Sequence, residues 1–359
     1  MQAERVRHNP IVVVDTTDLS EDEWKECRRL GIGGSDVAAI FGVSPFATKR
    51  DLYYDKLNIA PLDDVEENWV ALEVGKLLEP LVAKIFKKKI NCKLGTLKKI
   101  MRHPKYPFMQ ANIDYLIVFP DDSVFILECK TTNHNMSDKW FDGDAEIIPF
   151  YYELQGYHYM AVMDVDRVYF CCLYGNNEND VIIRRLDRDM EIEAELIAVE
   201  EDFWLNNVLA QVPPEYTEPG ELIAKSVKRH FGTANPDAPE VELKAKSAAR
   251  VAEFLMYNEE KLALDRRSRQ LKSLIDGIKG HITDEIGTSC VASCSINGEQ
   301  YIINCKPSVQ AKVLKDDILR MREVAPDAYN EFVTIAKNRR FDVKPRKQDA
   351  AVESEAVAA

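Results

Sequence analysis

The sequence has no apolar run long enough to span a bilayer, and its opening residues, MQAERVRHNP, lack the hydrophobic core of an export signal. No membrane association is expected, and the expected location is the cytoplasm. Positive charge is also in short supply, since the formal net charge is −13. That excludes a uniformly basic coat for nucleic acid. It leaves room for a local basic groove, because binding follows the charges nearest the phosphates. The eight cysteines, Cys27, Cys92, Cys129, Cys171, Cys172, Cys290, Cys294 and Cys305, are scattered. Reduced, buried thiols are expected. His134 and His158 have no partner at metal-ligand spacing, and both are expected to be satisfied polar histidines. No internal repeat is present.

What is present is a globular composition, 46% hydrophobic and 30% charged, over 359 residues. That length suits two domains or one large one. SEDEWKECRRLG reads as a helix capped by Ser20, and GIGGSDVAAIFG as a glycine turn feeding a short helix. NWVALEVGKLLEPLVAKIFKKK is amphipathic, with Val70, Val74, Leu77, Leu78, Leu81, Val82 and Ile85 on the expected buried side. Strands are expected from about residue 97 to 130, a helix over PFYYELQGYHYMAVM, and two further strands around GNNEND. The expected division is a first domain over 1–210 and a linker over 211–242. A helical and hairpin extension over 243–345 follows, turning at Asn297-Gly298, and then a disordered tail over 346–359.

The stretch ANIDYLIVFPDDSVFILECKTT carries the chemistry. Residues two apart on a strand share a face, so Glu128 and Lys130 point together. A hairpin centred near Asp121 places Asp114 directly across from Glu128, provided the register is even. Two acids and a lysine would then converge within near-continuous apolar runs, as in strands covered on both sides. Buried neighbouring acids are costly unless a cation shares them. A divalent metal such as Mg²⁺ is one such cation, and a surface salt-bridge ladder is the plainer alternative.

Asp114 followed by Glu128-Cys129-Lys130 resembles the core motif of the PD-(D/E)xK nuclease superfamily. RRLGIGGSDVAAIFGVSP, LEVGKLLEPLVAKIF, QANIDYLI, ILECKTT and YYELQGYHYMAV, in that order, are similar to the motifs of the YqaJ-like viral recombinase family, which includes the phage lambda exonuclease. The resemblance implies an α/β (α+β) nuclease core with a central mixed sheet flanked by helices. It implies two Mg²⁺ ions, with Mn²⁺ as a substitute, held by Asp114, Glu128 and the carbonyl of Cys129, with Glu79 completing a second site or binding through water. Lys130 would orient the attacking water and Gln155 would support the site, with Tyr159 beside it on the substrate side. Ser35, with Arg28 or Arg29, matches the positions that hold a 5′-phosphate. The implied activity is 5′-to-3′ exonuclease action on linear duplex DNA ends. The single strands would pass to an annealing protein, and the enzyme would form a ring trimer. An endonuclease with the same metals, or a DNA-binding adaptor with a relic site, are the alternatives.

Two further features carry expectations. Residues 84–99, KIFKKKINCKLGTLKK, hold seven lysines and no acid, and read either as a solvated helix end or as a rim touching phosphates. Cys27 with Cys290, Cys294 and Cys305 could supply four thiolates to an iron–sulfur cluster, with buried thiols as the plainer expectation.

Overall fold

The computed structural model describes residues 7–60, 69–232, 235–307 and 314–333. The chain forms two compact units, divided after Gly232. The first opens with β1 (Ile11–Asp15), α1 (Glu21–Arg29), α2 (Gly34–Ile40), α3 (Lys49–Lys56) and α4 (Trp69–Lys89). Next come β2 (Lys93–Thr96), β3 (Lys99–Arg102), β4 (Gln110–Ala111), β5 (Tyr115–Val118) and β6 (Val124–Thr131). A 3-10 turn over His134–Trp140 leads to β7 (Phe141–Asp142), β8 (Ala145–Glu146), α5 (Phe150–Met163), β9 (Arg167–Leu173) and β10 (Val181–Asp187). The unit closes with α6 (Met190–Asp202), a π-helical stretch over Phe203–Leu209, and α7 (Gly220–Phe231).

The main sheet is mixed, in the order β10-β9-β6-β5-β2. Only the β6–β9 pair is parallel. β1, β3 and β4 form a second, antiparallel sheet. One face of the main sheet, through Ile117, Leu127 and Cys171, packs on Val82, Ala83, Ile85 and Phe86 of α4. The other, through Ile126, Val168 and Phe170, joins the larger core with Leu154 and Met160 of α5 and Val37 and Ile40 of α2. Alternation along β6 therefore sends Glu128 and Lys130 to the α5 side and Cys129 to the α4 side. This is the α/β fold with a mixed central sheet that the sequence implies.

Three local outcomes follow from identifiable causes. The cap of α1 closes as expected: Glu23 N donates to Ser20 Oγ at 3.3 Å, and Ser20 N donates to Glu23 Oε2 at 2.9 Å. Only the second half of α4 buries its apolar side. Val70, Val74, Leu77 and Leu81 are exposed, contrary to the expectation, whereas Leu78 is partly buried against the sheet and full burial begins at Val82. The segment read as a linker contains α7, which docks on α3. Ser226 Oγ donates to Asp51 Oδ1 at 2.8 Å, His230 Nε2 meets the same oxygen at 2.7 Å, and Lys49 N donates to Glu218 Oε1 at 2.6 Å. Asp51 is buried, so it takes polar partners from α7.

The second unit contains α8 (Ala245–Ile286), a hairpin of β11 (Val291–Ile296) and β12 (Glu299–Asn304), α9 (Lys315–Val324) and α10 (Pro326–Phe332). Asn297 and Gly298 make the hairpin turn with φ of 53° and 87°, the left-handed pair that a tight two-residue turn needs. The tail expected to be disordered lies outside the described residues. Among the described residues, no helix is long and apolar enough to cross a membrane.

Candidate active site

β5 and β6 pair with Tyr115 opposite Leu127 and Val118 opposite Val124. Continuing that register by one residue sets Asp114 opposite Glu128, as the hairpin argument requires. The turn closes through Asp122, whose φ of 62° lies in the left-handed region that aspartate tolerates. Asp114 lies just before β5, where its Oδ2 accepts from Cys129 N at 2.8 Å. That bond fixes the carboxylate at the frayed end of the β5–β6 ladder.

Glu128 is buried. Its Oε1 accepts from Lys130 Nζ at 2.8 Å and from Gln155 Nε2 at 2.7 Å. Lys130 Nζ also donates to Gln155 Oε1 at 2.9 Å and lies over the Tyr152 ring, 4.5 Å from its centroid. One amide on α5 therefore holds both members of the pair. Burial alone would push the ammonium pKa down, but the Glu128 carboxylate, Tyr152 and Asp114 outweigh it and hold the pKa above its ordinary value. Asp114 goes the other way for a carboxyl. Burial first, then the Glu128 charge, raise it well above the usual range. Glu79 reaches the group from α4, where it bonds the Tyr115 hydroxyl. Burial and Glu128 raise its pKa.

Ser35, Arg28 and Asp36 form a second cluster. Arg28 Nη2 donates to Ser35 Oγ at 2.7 Å and to Asp36 Oδ1 at 3.2 Å, and its guanidinium lies 4.9 Å from the Trp24 ring centroid. Lys56 Nζ donates to Asp36 Oδ2 at 2.7 Å, and Gly33 N to the same oxygen at 2.8 Å. Burial would raise the Asp36 carboxyl, but the Lys56 and Arg28 cations hold it below its usual range. Arg29 turns elsewhere, its Nε donating to Asp55 Oδ1 at 3.3 Å. Arg28 is thus the arginine bonded to Ser35. Asp36 and Lys56 were missed in the sequence. Their only signal was that Asp36 opens the apolar run of α2 and Lys56 lies one turn from Leu52 and Tyr53 on α3.

The two clusters are joined by close packing. A Cβ on Gly34 would lie 2.6 Å from Tyr159 Cε1 and 3.1 Å from Gln155 Cγ, so only glycine lets α2 approach α5 here. Tyr159, expected on the substrate side, is buried at 5% exposure. It accepts from Gln155 Nε2 at 3.1 Å and donates to Asn112 O at 3.2 Å. It therefore braces Gln155 from below. A cleft of about 1260 Å³ runs past the second cluster, lined by Trp24, Arg28, Ser35, Thr131, Tyr151 and Tyr152 among others. Thr131 and Tyr152 form the wall next to the Glu128–Lys130 pair.

The remaining sequence expectations sort simply. His158 is fully buried and satisfied, with Nδ1 2.8 Å from Glu200 Oε1 and Nε2 2.7 Å from Gln110 O. His134 is exposed beside Tyr174. Lys88 of the lysine run pairs with Glu178. Cys171 and Cys172 are buried as expected, whereas Cys290 and Cys294 are exposed, because the hairpin that carries them covers neither face. Cys27 belongs to α1 of the first unit, and the other three thiols of the suggested cluster belong to the second.

The chemistry of the donor set bears on a metal. Glu128 Oε2 is buried without a hydrogen-bond partner, next to an Asp114 carboxyl whose ionisation burial disfavours. An orphaned carboxylate oxygen of this kind is what a hard cation would satisfy. Among the described residues, no three His, Cys, Asp or Glu side chains close to metal-binding spacing. The side chains whose chemistry suits a hard cation are the neighbouring Asp114 and Glu128 carboxyls.

Comparison with known proteins agrees with the motif reading. The YqaJ-like viral recombinase domain matches residues 23–166. The uncharacterized protein YqaJ of Bacillus subtilis (strain 168) is 31% identical over 335 residues, covering 93% of this chain and 97% of that protein. An alkaline exonuclease from Laribacter hongkongensis superposes with a TM-score of 0.42 at 18% identity, over 58% of this chain and 98% of its own. A phage-related exonuclease from Haemophilus somnus does so at 0.38 and 13%, over 52% and 99%. The first unit's motifs, in order and on one fold, together with a full-length relative, place the chain in the YqaJ-like viral recombinase family.

Proposed function

We propose that the protein is a metal-dependent deoxyribonuclease, a 5′-to-3′ exonuclease acting on linear duplex ends. One observation carries the reading: Lys130 and Gln155 bond each other and Glu128 Oε1, leaving Glu128 Oε2 buried without a partner, opposite Asp114. Asp114, Glu128 and the Cys129 carbonyl would hold Mg²⁺, or Mn²⁺ in its place, with Glu79 contributing to a second ion. When bound, the metal supplies charge neutralisation and an acidified water for phosphodiester hydrolysis. Lys130, held charged by its neighbours, orients the attacking water or a phosphate oxygen. Gln155 fixes the Lys130 and Glu128 side chains relative to each other, so little reorganisation is needed as charge develops. Arg28 and Ser35 receive the terminal 5′-phosphate in the cleft. There the guanidinium offers a fork that fits a phosphate.

On this reading the remaining single strand passes to an annealing protein of phage-type recombination, and a ring trimer would enclose the duplex. The test uses the full chain with Mg²⁺, a 5′-phosphorylated linear duplex and a covalently closed circle, with Glu128→Ala beside them. Digestion of the linear duplex alone, lost in the variant, is the expected result. Cutting of the circle would move the assignment to an endonuclease. With neither substrate degraded, the catalytic reading fails. Arg28→Ala is expected to remove the preference for a 5′-phosphate over a 5′-hydroxyl end while leaving slow digestion of both.

A further inference from the structure

α8 has 42 residues, and none of those described is buried. Tyr257, Leu264, Leu271, Ile275, Ile278 and Ile282 are between 38% and 64% exposed. With Lys261 and Ser268 included, these positions recur at alternating three- and four-residue steps from 257 to 282. That is the spacing of a two-helix seam. A long helix that leaves such a stripe in water gains little from its own packing, since most helical stability in proteins comes from burying the apolar face.

We propose that this seam pairs with the same seam of a second copy of the chain, and that the two helices run antiparallel. The flanking charges select the orientation. In a parallel, in-register pair, Glu260 faces Asp265 of the second copy, and Arg267 faces Lys272. Both contacts are like-charged, and symmetry makes each occur twice. In the antiparallel arrangement Asp265 faces Lys272 and Glu260 faces His281, again twice each. The same register stacks Leu264 on Ile275, Tyr257 on Ile282 and Ser268 on Leu271. Lys261 then lies against Ile278 through its aliphatic stem, with its ammonium still able to reach Asp265, which it already meets at 3.3 Å. Opposite charges at flanking positions decide partner and direction in paired helices. This pairing does not depend on the catalytic reading, and it is independent of any assembly made by the first unit.

The test is the mass of the full-length assembly at micromolar concentration, by light scattering and sedimentation. The variants are Asp265→Lys, Lys272→Asp and both together. The expected result is that each single change raises the dissociation constant of the α8 contact about tenfold, as two attractive contacts become repulsive. The assembly mass then falls towards half at limiting concentration, and the double change restores it. Nuclease activity and far-UV circular dichroism serve as folding controls, since neither residue is part of the candidate active site. Tighter association of either single variant would mean a parallel pair and overturn the proposal. So would no change in either variant, or a wild-type mass with no contribution from α8.

Discussion

Replacing Lys130 with methionine tests the centre of the site. The side chains of Lys130 and Glu128 are 17% and 5% exposed, and their ion pair spans 2.8 Å. Removing one member of a buried pair strands the other charge, which costs about 3–5 kcal/mol when burial is complete. Here Gln155 Nε2 still donates to Glu128 Oε1, and the ammonium is not fully enclosed. About 2–3 kcal/mol is therefore expected, or a fall of roughly 5–10 °C in the melting midpoint of the first unit. The double variant Glu128→Gln with Lys130→Met should recover about 1–2 kcal/mol of the summed single losses, because no uncompensated carboxylate remains. Activity should fall about 10²–10⁴-fold. Added Mg²⁺ should raise the midpoint of Lys130→Met more than that of the wild type, since a cation would satisfy the stranded oxygen. The assay is thermal unfolding in chelator and in Mg²⁺, with digestion of a linear duplex in parallel. A methionine variant that melts with the wild type and keeps its activity would refute the argument.

Other outcomes are expected elsewhere in the first unit. Gly34→Ala should lose about 1–3 kcal/mol by overpacking against the rigid Tyr159 ring, and should depress activity through Gln155. Gly95→Ala, where a Cβ meets nothing within 4 Å, is the matched control. His103 Nδ1 accepts from Lys105 N at 3.1 Å and Tyr106 N at 3.0 Å, so the ring must stay neutral. Burial, with His8 and Arg188 nearby, lowers its pKa to about 4. The unfolded chain then binds the extra proton first, so this contribution to stability is full above the ordinary histidine pKa and is lost as pH falls towards 4. His103→Asn, which keeps an acceptor but cannot titrate, should flatten the midpoint-against-pH curve between pH 6.5 and 4. Parallel curves for the two proteins would contradict that assignment.

The sequence by itself determined the strand chemistry of the site. Alternation on β6 puts Glu128 and Lys130 on one face, and the turn at PDDS sets the register that brings Asp114 opposite Glu128. Both are local rules: period two along a strand, and a hairpin centre fixed by turn residues. The capped α1, the helix bearing Gln155 and the Asn297-Gly298 hairpin were legible for the same reason. What crosses between elements was not. The choice of Arg28 over Arg29 depends on the angle at which α1 meets α2. The roles of Asp36 and Lys56 depend on α3 packing beside them. The exposed first half of α4 looked buried, because periodicity reports an apolar face without saying what meets it. α7 looked like linker because its bonds reach back 175 residues and more to Asp51. Side-chain spacing along one segment is written in the sequence, whereas the partner that satisfies a buried charge is chosen only when the layers close.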